Sequence, residues 1–202
     1  MSSSRTAVRQ YWVAIRAMLI FTVVLGVGYS AILTGIGQLV LPWQANGSVV
    51  KVGDKVVGSA LLGQSFTDKK GNALPEWFQS RPSAAGTGYD ASASSGSNYG
   101  PENADLIKLV RERKAAIAKL DGVSPSSIPA DALTASASGL DPHISPEYAL
   151  EQVARIAGIR NLSESAVKSL VESKIQAPDL GYLGEPRVNV VELNIALASL
   201  KG

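Results

Sequence analysis

The sequence predicts an α+β protein on a membrane stalk: one N-terminal transmembrane helix followed by a single exported α+β domain with an N-terminal β-hairpin and several helices. Three observations carry this. A run of 24 uncharged residues, Ala17 to Val40, lies near the start of the 202-residue chain. Strand-like alternation follows it between Ser48 and Gly58. Beyond Glu102 the apolar residues take the spacing of amphipathic helices. The division is a tail over 1–16, a membrane helix over 17–40 and an exported domain over 41–202.

As a helix the uncharged run is about 36 Å long, enough for a hydrocarbon core of about 30 Å. Gly28 and Ser30 mimic a signal-peptide cleavage site. Cleavage there would leave Ile32, Leu33, Ile36, Leu39 and Val40 as a greasy new N-terminus, so an uncleaved, single-pass anchor in the plasma (inner) membrane is the better reading. Arg5, Arg9 and Arg16, with no acid among them, place the tail in the cytoplasm and everything after about Pro42 outside. Tyr11 and Trp12 at one end and Trp43 at the other suit the two interfaces. Thr22, Gly26, Ser30, Thr34 and Gln38 recur every four residues as a stripe of small or polar side chains, which lets a partner helix approach.

Charge and composition exclude several functions. The chain is +2 overall, but three positive charges sit in the tail, so the rest is near neutral and lacks the Lys/Arg density of a nucleic-acid binder. There is no cysteine and a single histidine, His143, which removes disulfides, thiol nucleophiles and zinc sites built on Cys or paired His. The absence of any Gly-Lys dipeptide excludes a Walker loop.

In the domain, Ser48–Val52 and Lys55–Gly58 read as two strands around a Gly53-Asp54 turn. Leu61 to Phe66 extends the second strand. Only about ten residues, Leu41 to Val50, connect the span to the hairpin, a reach of roughly 35 Å if extended. Ser80 to Pro101, dense in Ser, Gly and Ala, has the composition of a flexible loop or linker. Glu102 to Leu120 reads as an amphipathic helix with Leu106, Val110, Ile117 and Leu120 among charges, Asn103 or Asp105 as cap, and Gly122 as its end. Ser145 caps a second helix, with Pro146 at its first position, running to about Ala157. Ser163 caps a third, with Val167, Leu170, Val171 and Ile175 on one side and Pro178 as stop. The segment Val188 to Leu200 mixes strand and helix preferences, and a helix from about Asn189 is expected.

Asp141 and His143, near Ser136, Ser138 and Ser145, invite comparison with a catalytic triad. Asp-Pro-His-Ile-Ser-Pro nevertheless carries two prolines and sits at a helix start, where such side chains satisfy backbone groups. An exported hydrolase around Asp141 and His143, and a membrane-anchored solute-binding module, are the alternative functions.

Several blocks resemble one family: Phe78–Ser83 (FQSRPS), Ser95–Asn98 with Gly100-Pro101, Thr134–Ser145 (TASASGLDPHIS), Gln152–Arg155 (QVAR) and Gly184–Val190 (GEPRVNV). In order and in following a single span they are similar to the C subunit of the Kdp potassium-transporting ATPase, over Arg16 to Leu197. Ala93–Gly96 lacks the family's usual glycine pair, and Ala137 stands where glycine is frequent. The resemblance implies a non-catalytic accessory subunit of a high-affinity, ATP-driven potassium uptake complex. Its partners would be a potassium-binding channel-like subunit, a P-type catalytic subunit and a small membrane peptide. The chain alone would bind no cofactor, with ATP and potassium handled by the complex. From the residues themselves, Arg81, Asn98, Asp141, His143, Arg155, Glu185, Arg187 and Asn189 are hydrogen-bonding side chains beside turn formers, suited to tying irregular backbone into a framework or to meeting a partner.

Overall fold

A computed structural model describes residues 3–200, with side chains from Thr6 onward, so the side chain of Arg5 lies outside the described residues. The chain forms two compact units that divide between Val49 and Val50.

The first unit is helical: α1 (Ser3–Phe21), a π-helical stretch (Thr22–Tyr29), α2 (Ser30–Val40) and the short α3 (Pro42–Ala45). Thr6–Val40 is one apolar helix of 35 residues, long enough to cross a membrane, and its most apolar window is wholly unburied within the chain. The π-helical stretch was not foreseen. Its sequence, TVVLGVGY, combines β-branched residues with two glycines, which hold regular α-helix weakly. Its hydrogen bonds reach one residue further than in an α-helix. In α-helix a residue four positions on advances by about 40°, whereas the wider π turn makes it fall back, which opposes the drift of the stripe from Thr22 to Gln38.

The link after the span is folded rather than extended. The Ser48 amide donates to the Trp43 carbonyl at 3.0 Å, and the Trp43 indole N–H donates to the Val49 carbonyl at 2.9 Å. The Asn46 amide donates to Gln38 Oε1 at 2.9 Å and to the Pro42 carbonyl at 2.6 Å.

The second unit opens with the expected hairpin, β1 (Val49–Val52) and β2 (Lys55–Ser59), turning at Gly53-Asp54. Leu61–Phe66 does not extend β2. The Ser59 hydroxyl accepts the Leu61 amide and the Gly63 amide donates to the Leu140 carbonyl, so this backbone bonds elsewhere. Three short antiparallel strands, β3 (His143–Ile144), β4 (Ile175–Gln176) and β5 (Arg187–Asn189), form a second sheet with β5 central, pairing His143 with Asn189 and Ile175 with Val188.

Helices α4 (Ala104–Asp121), α5 (Ala130–Leu133), α6 (Pro146–Glu151), α7 (Val153–Arg160), α8 (Glu164–Ser173) and α9 (Val190–Ser199) complete the domain. Their starts follow capping chemistry: Asn103, Ser145, Ser163 and Asn189 each accept a first-turn amide through the side chain. Gly122 ends α4 with φ +70°, a left-handed conformation that favours glycine. The second expected helix is in fact two, α6 and α7, meeting at Gln152, whose side-chain oxygen is engaged with the Gln79 amide. Ile175 does not continue α8; Lys174 closes the helix and Ile175 enters β4. The final helix starts at Val190, one residue beyond the expectation.

The core gathers Phe78, Ile144, Ile156, Val167, Val171, Val188, Leu193 and Leu197, nearly all inaccessible to solvent. Each such side chain contributes on the order of 1.5–3 kcal/mol on burial. Phe78 thereby anchors the irregular segment that follows it.

Ser80–Pro101 is irregular; residues 80–90 are largely packed, contrary to their composition, while 91–101 are mostly exposed but held to the 136–139 loop by backbone contacts. Ala85 is fully buried, the Ser95 amide donates to the Ser138 carbonyl at 3.0 Å, and Asp90 caps a short 3-10 turn at Ala91–Ala93. A methyl group on Gly139, which takes φ +68°, would lie 2.6 Å from the Ser95 carbonyl oxygen and 2.7 Å from the Ala85 nitrogen. Small residues here permit backbone to lie on backbone.

Candidate functional site

Three of the sequence blocks, 78–83, 134–145 and 152–155, meet at the irregular segment from Pro75 to Tyr89. Asp141 is the hub of one cluster. Its Oδ1 accepts the His143 amide at 3.0 Å and lies 3.2 Å from His143 Nδ1, while Oδ2 accepts Arg81 Nη1 at 3.1 Å. Arg81 also donates to the Thr134 carbonyl through Nε and Nη2, both at 3.4 Å. The group is only partly buried. Burial pushes the Asp141 carboxyl upward, but the His143 hydrogen bonds and the His143 and Arg81 charges prevail and hold it below the usual range.

Hydroxyls extend this cluster. Ser83 donates to the Gly139 carbonyl at 2.6 Å and accepts the Tyr89 amide at 2.8 Å, and the Tyr89 hydroxyl donates to the Arg81 carbonyl at 2.8 Å. Burial pushes the Tyr89 phenol up to about 12. The triad reading finds no support in this geometry: Ser145 bonds Asp131 and caps α6, Ser138 accepts the Leu140 amide, and neither hydroxyl is bonded to His143.

A second cluster is deeply buried. Arg155 donates from Nε to Asp121, from Nη1 to the carbonyls of Pro75 and Trp77, and from Nη2 to Gln152 Oε1 at 2.7 Å. The Gln152 oxygen also accepts the Gln79 amide at 2.6 Å. Burial pushes the Asp121 carboxyl upward, with Arg155 pulling against it. Asn194 brackets Phe78, accepting its amide at 3.0 Å and donating to its carbonyl at 2.9 Å. Asn189 donates to the Ala60 carbonyl at 2.8 Å and caps α9.

The other candidates lie outside these clusters. Arg187 pairs with Asp179. Asn98, with φ +53°, and Glu185 are exposed and make no side-chain hydrogen bond among the described residues. Along the span, Thr34 donates to the Ser30 carbonyl and Gln38 is paired with Asn46. Sequence reasoning missed Asp121, Gln152, Asn194 and Tyr89 as framework residues. Asn194 was signalled by being the one amide within the apolar run VVELNIAL; Asp121 looked like an ordinary helix end. Among the described residues no group of three or more His, Asp or Glu side chains is placed to hold a metal ion.

A cleft of about 750 Å³ opens beside the first cluster, bordered by Phe66, Arg81, Tyr89, Arg113, Ile117 and Tyr148.

Comparison with known proteins assigns the chain. The KdpC family, described as K+-transporting ATPase, c chain, matches residues 11–199. The chain belongs to the KdpC family. It is 51% identical over 191 residues to the potassium-transporting ATPase KdpC subunit of Kineococcus radiotolerans, covering 95% of this chain and 94% of that protein. It is 52% identical over 186 residues to the KdpC subunit of Caulobacter vibrioides, covering 91% and 90%, and 50% identical over 181 residues to that of Beijerinckia indica, covering 90% and 89%. Both polar clusters, and the apolar N-terminal helix from Tyr11 onward, therefore lie within the stretch that matches KdpC.

Proposed function

We propose that this chain is a non-catalytic accessory subunit that stabilises an ATP-driven potassium uptake complex and promotes ATP use by the catalytic subunit. The observation that carries the reading is how the motif residues are used. Arg81, Asp141, His143, Arg155 and Asn189 bond to backbone or to one another, which is the work of a framework and leaves no paired nucleophile for a chemical step.

The relatives' name supports partners in a potassium-transporting ATPase. On this reading they are a potassium-binding channel-like subunit, a P-type catalytic subunit and a small membrane peptide. Arg9 and Arg16 keep the N-terminus cytoplasmic, and the domain is exported. ATP is then on the opposite face from the domain, so the chain itself holds neither nucleotide nor potassium and acts on ATP use through the assembly. Thr22, Gly26 and Ser30 offer the flat stripe for a partner helix, with Thr34 and Gln38 continuing it.

Affinity purification of the tagged full chain from native membranes tests this. Recovery of the P-type and channel-like subunits with potassium-stimulated ATPase activity is the expected result. Recovery of the chain alone, or ester or peptide hydrolysis by the purified chain, would contradict it.

A further inference from the structure

We propose that the cleft bordered by α4 and the loops at 65–73 and 79–89 binds a small amphiphilic anion, an acidic group on an apolar body, with Arg113 as its charge partner. At about 750 Å³ it falls in the range of small-molecule sites, about 300–1,000 Å³. Its walls are mostly apolar, from Phe66, Pro82, Ile117 and Leu120, over the buried Ala132 and Tyr148.

The charge of the walls has one sign. Arg81, Arg113 and Lys119 border the cleft, and no Asp or Glu does. Arg81 is already matched by Asp141, and Lys119 is exposed to water. Arg113 differs from both. It is half-buried, donates through Nη1 to the Leu133 carbonyl at 2.8 Å, and has no carboxylate partner among the described residues. Burial lowers its affinity for the proton, the mark of a cation partly stripped of water. A guanidinium has five N–H donors, and beyond the one that meets the Leu133 carbonyl none of the Arg113 nitrogens is buried without a partner, so its other donors stay open to a ligand. An anion in the cleft pairs with this open cation, while its apolar body covers the remaining wall. A bare inorganic ion would satisfy the first requirement only.

The test uses the full chain in phosphatidylcholine nanodiscs, with hydrogen–deuterium exchange read on peptides covering 79–89 and 113–120. Octanoate is expected to slow exchange there saturably, whereas octanol and sulfate at equal concentration do not. Arg113→Met should weaken the effect about tenfold, the size of a charge-assisted contact. Ala116→Glu is a second variant that keeps Arg113: Ala116 borders the cleft, is exposed on α4 one turn from Arg113 and would set a carboxylate against it, again weakening the effect, while exchange elsewhere in the domain matching the parent shows that both variants fold. Protection by phosphatidylglycerol discs without octanoate, lost in Ala116→Glu, would make the source a lipid headgroup; protection by octanoate alone would make it a soluble acid. The proposal is overturned if neither probe protects, if octanol protects equally, or if both variants bind as the parent does. It is equally overturned if the variants lose the other subunits while no probe binds, which would make the cleft a protein interface.

Discussion

Two arginine–aspartate pairs hold the domain's irregular loops, in opposite surroundings. Arg155 and Asp121 are 3% and 1% exposed, with further bonds to Pro75, Trp77 and Gln152. Arg81 and Asp141 are 22% and 29% exposed and share their site with His143. The same chemistry therefore serves as an internal lock in one place and as a solvent-touched joint in the other. A buried pair costs much when one member is removed, because the survivor is left charged without water; a partly exposed pair is screened and its survivor can be solvated.

The largest effect should come from the lock. Arg155→Met strands Asp121 and frees three carbonyl-type acceptors, and is expected to lower unfolding stability by about 3–5 kcal/mol, measured by chemical denaturation of the full chain in detergent. Gly139→Ala should follow, at about 1–3 kcal/mol, since its methyl would collide with backbone at Ser95 and Ala85 in a left-handed conformation. A loss near zero would mean that the 80–101 segment is not pinned as described.

Asp141→Asn should cost less, about 1 kcal/mol or below at neutral pH. Its sharper signature is pH. Because the folded carboxyl is held low, its contribution is fully present above the ordinary aspartate range near about 3.9 and disappears as pH falls through the lowered folded value. Acid should therefore destabilise the parent more steeply than Asp141→Asn. Asp121, pushed upward by burial, has the opposite slope: its folded form favours the proton, so acidification does not remove stability there. Parallel acid profiles for parent and Asp141→Asn would refute the assignment.

The contrast between clusters also shows what the sequence reveals. Local signals were readable: Asn103, Ser145, Ser163 and Asn189 cap helices because each is a short polar side chain ahead of an apolar-periodic run, and Gly122 closes α4. Long-range pairings were not. Nothing in Asp121 announces Arg155, 34 positions away, and the Ser/Gly/Ala content of 80–101 gives no hint that Ser95 lies on Ser138. Composition reports what a segment tolerates; packing decides what it does. Gln152 splits the second helix and Ile175 leaves the third for the same reason: partners at Gln79 and Val188 outweigh local periodicity. The polar motif residues stood out as candidates for framework or partner contact because of their place beside turns. Arg81, Asp141, His143, Arg155 and Asn189 bond within the domain, whereas Asn98 and Glu185 make no side-chain hydrogen bond among the described residues. Which of them would meet was not legible.

A smaller, more specific effect is expected in the first unit. Gly26→Leu and Ser30→Leu should reduce recovery of the partner subunits without altering membrane insertion, because bulk on the stripe holds helices apart. Unchanged recovery would place that face toward lipid. Inserting about thirty Gly/Ser residues after Gly47 keeps the Gln38–Asn46 pair and should lower potassium-stimulated ATPase activity modestly, as effective concentration falls with linker length.

On the proposed function the partly exposed cluster is a joint rather than a catalytic centre, and His143→Gln tests this most directly. Potassium-stimulated ATPase activity and the amount of assembled complex are measured on the same preparation. Activity per assembled complex should equal that of the parent, any loss following the amount of complex recovered. A fully assembled complex that has lost its activity would contradict the account.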